Sequence, residues 1–190
     1  VLFKAVPLIF TGLSVAIAMK TGLFNIGAPG QFLMGTLGSL LVALNINTVG
    51  NPFLGVLVWL LALISGIILG ALWGAIPALL KAFFGINEVI VCIMTNWIAA
   101  NVVSWIFSLN DSIINHGSGK SAYLLTTASS GNGTPKLGLN NIFVGSYIDM
   151  GIFIAIIVAV AFFIIMKKTT FGYKLTACGS NKEATKYAGM

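Results

Sequence analysis

The chain has 190 residues, of which 58% are hydrophobic and 7% charged, against roughly 25% charged in an ordinary soluble domain. With a mean hydropathy of +1.02, this excludes a water-soluble globular protein, a disordered tail and a disulfide scaffold. It leaves an all-α polytopic membrane protein. Ten lysines, no arginine, four acids and one histidine give a net charge of +6. Without guanidinium groups, and with the lysines dispersed, this charge does not make a nucleic-acid surface. Lys167, Lys168, Lys174, Lys182 and Lys186 gather at the C-terminal end, the pattern of a cytoplasmic segment beside a membrane span.

In chain order, the first apolar run is 5–19. A polar, Gly-rich break follows at 20–31, and a second run covers 32–44. Asn, Gly and Pro mark 45–52 as a loop. The run 53–80 carries no charge; as one helix it exceeds the ~30 Å hydrocarbon core and is expected to tilt, protrude or kink at Pro77. Gly66, Gly70 and Gly74 in it repeat every four residues and predict close helix approach. The next span is 89–109, then a polar stretch 110–149 reads as an external loop. The last span, 150–166, is stopped by Lys167-Lys168, and 167–190 is cytoplasmic. Counting back, 81–88 is inside, 45–52 outside, and the 20–31 break approaches from inside. The chain starts at Val1 beside an apolar run and stops at Met190, and is expected to be an internal portion of a longer protein.

Unwound backbone at membrane depth is tolerated only when buried in protein or lining a wet cavity, and transporters bind substrate at such breaks. In the 20–31 break Asn25 and Gln31 offer amide donors and acceptors for a substrate pathway; a plain turn between spans is the alternative. Asn87 and Glu88 either start the following helix, where an acid suits the positive end of the dipole, or belong to the pathway. Asn96, deep in an apolar run, bonds either a neighbouring helix or a polar ligand. Gly117-Ser118-Gly119-Lys120-Ser121 imitates the end of a phosphate loop, but position 114 is Ile where the pattern needs Gly; it is read as a chance match, and His116 as a surface residue. Cys92 and Cys178 make neither a disulfide nor, with one distant His, a metal set. No nucleophile–base pair or carboxylate pair is visible in the membrane, so the chain is not read as an enzyme.

The tail carries the sharpest signal. Ser180 followed by Glu183 predicts a capping box and a short helix. Ala184 and Ala188 share a face, and Gly189 suits its end. Such a helix either docks another protein or is an amphipathic surface helix.

Glu183-Ala184-Thr185 with Gly189 resembles the Glu-Ala-Ala-xxx-Gly coupling motif of ABC importer permeases. Gly22-Leu23-Phe24-Asn25-Ile26-Gly27-Ala28-Pro29-Gly30-Gln31 resembles a signature of nucleoside-type permeases in the branched-chain amino acid and simple-sugar superfamily. Gly85-Ile86-Asn87-Glu88-Val89-Ile90, with Met94, Asn96 and Trp97, is similar to a second stretch of the same group. Pro29 stands where the signature has Glu, and Thr185 replaces the third residue of the coupling motif. The resemblance implies a permease subunit that pairs with a second permease subunit. Through Ser180, Glu183, Ala184 and Gly189 it docks an ABC ATP-binding subunit, which hydrolyses ATP; this chain itself takes no cofactor. An extracytoplasmic substrate-binding lipoprotein delivers the ligand, with 110–149 as its candidate contact. The first span and the C-terminal half of a full family member would lie outside this chain. A nucleoside is the expected substrate. Simple sugars or branched-chain amino acids are the alternative, and a non-transporting membrane scaffold is the reading from another class.

Overall fold

The computed structural model describes residues 2–46, 48, 51–109 and 150–189. The described residues form seven helices: α1 Leu2–Lys20, α2 Ala28–Asn45, α3 Pro52–Phe84, α4 Glu88–Ser108, α5 Gly151–Lys168, α6 Thr170–Ser180 and α7 Lys182–Tyr187. The expected external loop, the phosphate-loop imitation, His116 and Lys120 lie outside the described residues. Contacts divide the chain into two units, Val1–Ala28 with Lys136–Met190 and Pro29–Pro135.

In the first unit α1 packs on α5 and on α6, α5 on α6, and α6 on α7. The chain leaves α1 through a left-handed turn. Gly22 has φ +74°, its N–H donates to Met19 O at 3.2 Å, and Leu23 N–H donates to Ala18 O at 2.9 Å. These two bonds satisfy carbonyls that the helix end would otherwise orphan. Gly22 meets Gly179 of α6 backbone to backbone: a Cβ at Gly179 would lie 2.3 Å from Lys20 O and 2.9 Å from Gly22 N. Only a residue without a side chain fits there.

In the second unit α2, α3 and α4 enclose a small core of Met34, Leu37 and Ala99, joined by Leu69 and Trp73. The glycine repeat of α3 lies against α2 as its spacing predicts. A Cβ at Gly66 would be 3.0 Å from Gly35 O, and one at Gly70 3.3 Å from Gln31 O. Two serines lace the same interface reciprocally. Ser39 Oγ donates to Ala62 O at 2.9 Å, and Ser65 Oγ donates to Gly38 O at 3.1 Å. With no hydrophobic drive between helices in lipid, small residues and side-chain-to-backbone bonds of this kind hold them together. α3 runs unbroken through Pro77 to Phe84. At 1.5 Å per residue its 33 residues span roughly 50 Å, well beyond the hydrocarbon core.

By length and composition, Phe53–Phe84, Glu88–Ser108 and Gly151–Lys168 can cross a membrane. Much of their apolar surface is exposed: only 6% of the Gly151–Lys168 window is buried, as expected of faces that meet lipid tails. α1 and α2 cover the first two apolar runs as helices. α2 corrects the expected boundaries. It starts at Ala28 rather than 32, so the break shrinks to 21–27. Pro29 is the reason, because its fixed φ and missing N–H suit the first turn of a helix, where they cost nothing.

Candidate functional site

Four residues of the second unit converge at the N-terminal turn of α2. The first N–H groups of a helix have no partner within it. Here the side chain of Asn96, from the middle of α4, supplies one: Gly30 N–H donates to Asn96 Oδ1 at 2.8 Å. The approach is close enough that a Cβ at Gly30 would fall 2.6 Å from that oxygen and 3.3 Å from Trp73 Nε1. Trp73 Nε1 is buried and has no hydrogen-bond acceptor among the described residues. Beside it, the Gln31 carboxamide runs along α3, within 3.0 Å of where a Cβ of Gly74 would sit. The arrangement is neutral: two carboxamides, an indole donor and the N-terminal turn of a helix.

Asn25 belongs to the first unit, where its carboxamide turns back on its own segment. Its Oδ1 accepts from Gly27 N–H at 3.0 Å, and its Nδ2 donates to Ser14 Oγ of α1 at 3.5 Å. Asn87 and Glu88 are not part of the Asn96 cluster, being nine and eight residues away along the chain, roughly 12–14 Å along α4. Asn87 is the N-cap of α4, with Oδ1 accepting from Val89 N–H at 2.9 Å. Glu88 pairs with Lys81 from the last turn of α3. The pair is partly exposed, at 25% and 22% for the two side chains, so it clips the α3–α4 turn with modest energy.

The tail differs in detail from its expected form. Ser180 is not a helix cap but the last residue of α6, where its hydroxyl donates back to Thr176 O at 3.0 Å. Asn181 takes the role, with Oδ1 accepting from Ala184 N–H at 3.1 Å. The N-cap therefore lies one residue later than anticipated, and Ala184 at the third position of α7 has no side chain with which to complete a capping box. α7 presents Glu183 and Ala184 to the outside and buries Thr185. Thr185 Oγ1 donates to Asn181 O at 2.7 Å. Gly189 closes the turn at φ +71°.

Trp73 and Asn181 are the residues that reading the sequence missed. Trp73 sits in an apolar run and reads as core. Asn181 lies between Ser180 and Lys182 and was masked by the better-spaced Ser180.

These elements define a polytopic helical membrane protein with a neutral polar cluster among its long helices and a short capped helix after the last of them. All 190 residues match the family described as branched-chain amino acid transport system / permease component. The chain belongs to this family, and it is a multi-pass protein of the cytoplasmic membrane. It is 38% identical over 184 residues, 97% of its length, to the guanosine ABC transporter permease protein NupP of Bacillus subtilis. It is 36% identical over 188 residues, 97% of its length, to the nucleoside ABC transporter permease protein NupB of Lactococcus lactis subsp. cremoris. It is 34% identical over 194 aligned residues, its whole length, to the glucose ABC transporter permease protein TsgB13 of Haloferax volcanii. The chain spans about half the length of these relatives, 49% of each. No solved structure matches it.

Proposed function

We propose that the chain is part of one permease domain of an ATP-driven ABC importer for nucleosides. It moves its substrate by alternating access and carries out no chemistry itself. ATP is hydrolysed by a separate subunit, on which 167–190 docks through Glu183, Ala184 and Gly189, with Ser180 at the end of the preceding helix. A second permease subunit and an extracytoplasmic substrate-binding lipoprotein complete the assembly, with 110–149 as the candidate contact for that lipoprotein.

The observation that carries the substrate reading is the neutral set at the start of α2. Gln31, Asn96 and Trp73, whose indole N–H has no acceptor among the described residues, make a polar set without charge, beside a helix that begins inside the family signature. Neutral, polar, flat ligands match such a set, whereas a zwitterionic amino acid calls for charged partners. Asn25 contributes through the short 21–27 break, whose shape it holds. The names of the guanosine and nucleoside relatives support the same choice. Sugars are the second reading, supported by the glucose relative, because a sugar is also neutral and polar.

Uptake of labelled guanosine in a deletion strain complemented with the full-length gene tests the proposal. Unlabelled nucleosides should compete and ribose, glucose and leucine should not. Competition by a sugar instead moves the assignment to the sugar branch. Loss of uptake with the protein and its partners present in the membrane removes the nucleoside reading.

A further inference from the structure

Within the first unit, α1, α5 and α6 line an open cavity of about 490 Å³ that plays no part in the pathway proposed above. Its size lies in the ~300–1,000 Å³ range of small-molecule sites. Its walls are apolar, and they include the small residues Ala16 of α1 and Ala159 of α5 and the ring of Phe163. Its polar lining comes from Lys20, the last residue of α1, Lys167, in the last turn of α5, and Thr176 of α6. Because Lys20 and Lys167 line one cavity, the C-terminal ends of α1 and α5 lie at the same end of the unit. That is the end where lysines concentrate, hence the cytoplasmic one. Lys167 Nζ is held 5.1 Å from the centre of the Phe163 ring, which positions a cation at the mouth. No carboxylate is among the described lining residues to neutralise it.

We propose that this cavity binds one anionic phospholipid of the cytoplasmic leaflet, with its phosphate between Lys20 and Lys167 and an acyl chain along Ala16, Ala159 and Phe163. Charge complementarity selects the headgroup, since basic pockets between helices on the cytoplasmic side attract anionic lipids. The apolar walls select a lipid over a free phosphate ion, for which they have no use. The small side chains at Ala16 and Ala159 keep the slot open. The proposal rests on membrane placement and not on the identity of the transported substrate, so it stands or falls apart from the nucleoside reading.

The test uses the full-length permease in mixed micelles and in nanodiscs, with phosphatidylglycerol and phosphatidylcholine as probes and bound lipid counted by native mass spectrometry. The wild type should retain phosphatidylglycerol over phosphatidylcholine. The double variant Lys20→Gln/Lys167→Gln should bind it roughly 30-fold more weakly, each lysine being worth about five-fold. Ala16→Trp, which fills the slot and leaves both lysines, should also lose the lipid. Lys4→Gln, near the opposite end of α1, should not. A photoactivatable phosphatidylglycerol should label α1 near Ala16. Equal retention of the two lipids, an equal effect of Lys4→Gln, or a cavity that never labels because another part of the assembled protein covers it would each overturn the proposal.

Discussion

Replacing Gly179 by alanine sets a methyl group against backbone on every side. The new Cβ would lie 2.3 Å from Lys20 O, 2.8 Å from Thr21 C and 2.9 Å from Gly22 N, where ordinary contacts begin at 3.4 Å. None of these atoms belongs to a side chain, so no rotamer change relieves the clash. The end of α6 must withdraw from α1 by about 1 Å, in a packed structure that accommodates such shifts poorly. Overpacking of this kind costs about 1–3 kcal/mol. Alanine's better helix propensity returns up to ~1 kcal/mol; with the closest clash at 2.3 Å from backbone the upper end of the cost applies, leaving a net loss of about 2 kcal/mol. Gly12→Ala is the matched control, because a Cβ there meets nothing within 4 Å, and it should be neutral or slightly stabilising. Unfolding of the two full-length variants by SDS in mixed micelles reads the difference. If 167–190 is the coupling segment, Gly179→Ala should also lower guanosine uptake relative to ATP hydrolysis, since the shift occurs just ahead of α7. Equal SDS midpoints for the two variants would refute the packing argument.

Other substitutions follow from the same geometry. Asn96→Ala removes the acceptor of Gly30 N–H and should destabilise the protein by about 1 kcal/mol, between the ~0.6 average and the ~1.7 maximum for interhelical bonds in membranes, while cutting uptake; unchanged SDS midpoint and uptake would show that the contact carries nothing. Gly38→Ala places a Cβ 2.9 Å from Ser65 O and should loosen the α2–α3 interface by about 1 kcal/mol after the propensity gain, seen as earlier unfolding in SDS. Ala184→Lys, on an exposed position of α7, should abolish uptake while leaving membrane insertion and thermal stability intact; normal uptake would remove 167–190 from coupling.

Much of the architecture was legible because the apolar runs are long and the breakers between them are strong. The limits of α4 and α5 fall within a residue or two of the runs that predict them, and the glycine repeat of α3 foretold its packing against α2. What failed were places where one residue type has two uses. Pro29 reads as a breaker, yet it favours the first turn of α2. Ser180 has the spacing of a cap, yet its hydroxyl bonds back to Thr176 O within its own helix, a known alternative for serine. The bond between Gly30 and Asn96 joins residues 66 apart, and no local period reveals it. Trp73 could not be singled out, because only the fold shows which indole N–H is buried without an acceptor.

The joints between the last three helices are single residues. Thr169 ends α5 and begins α6, accepting from Gly172 N–H at 3.2 Å. Asn181 likewise ends α6 and begins α7. From the end of α5 to the start of α7 the chain therefore leaves helical geometry at two positions only. Each residue has two soft backbone torsions, so four angles set the direction of α7 relative to α5. The side chain of each joint residue is itself tied into the helix that follows. A push on α7 has almost no loop in which to dissipate, and it reaches the membrane-spanning helix as rotation.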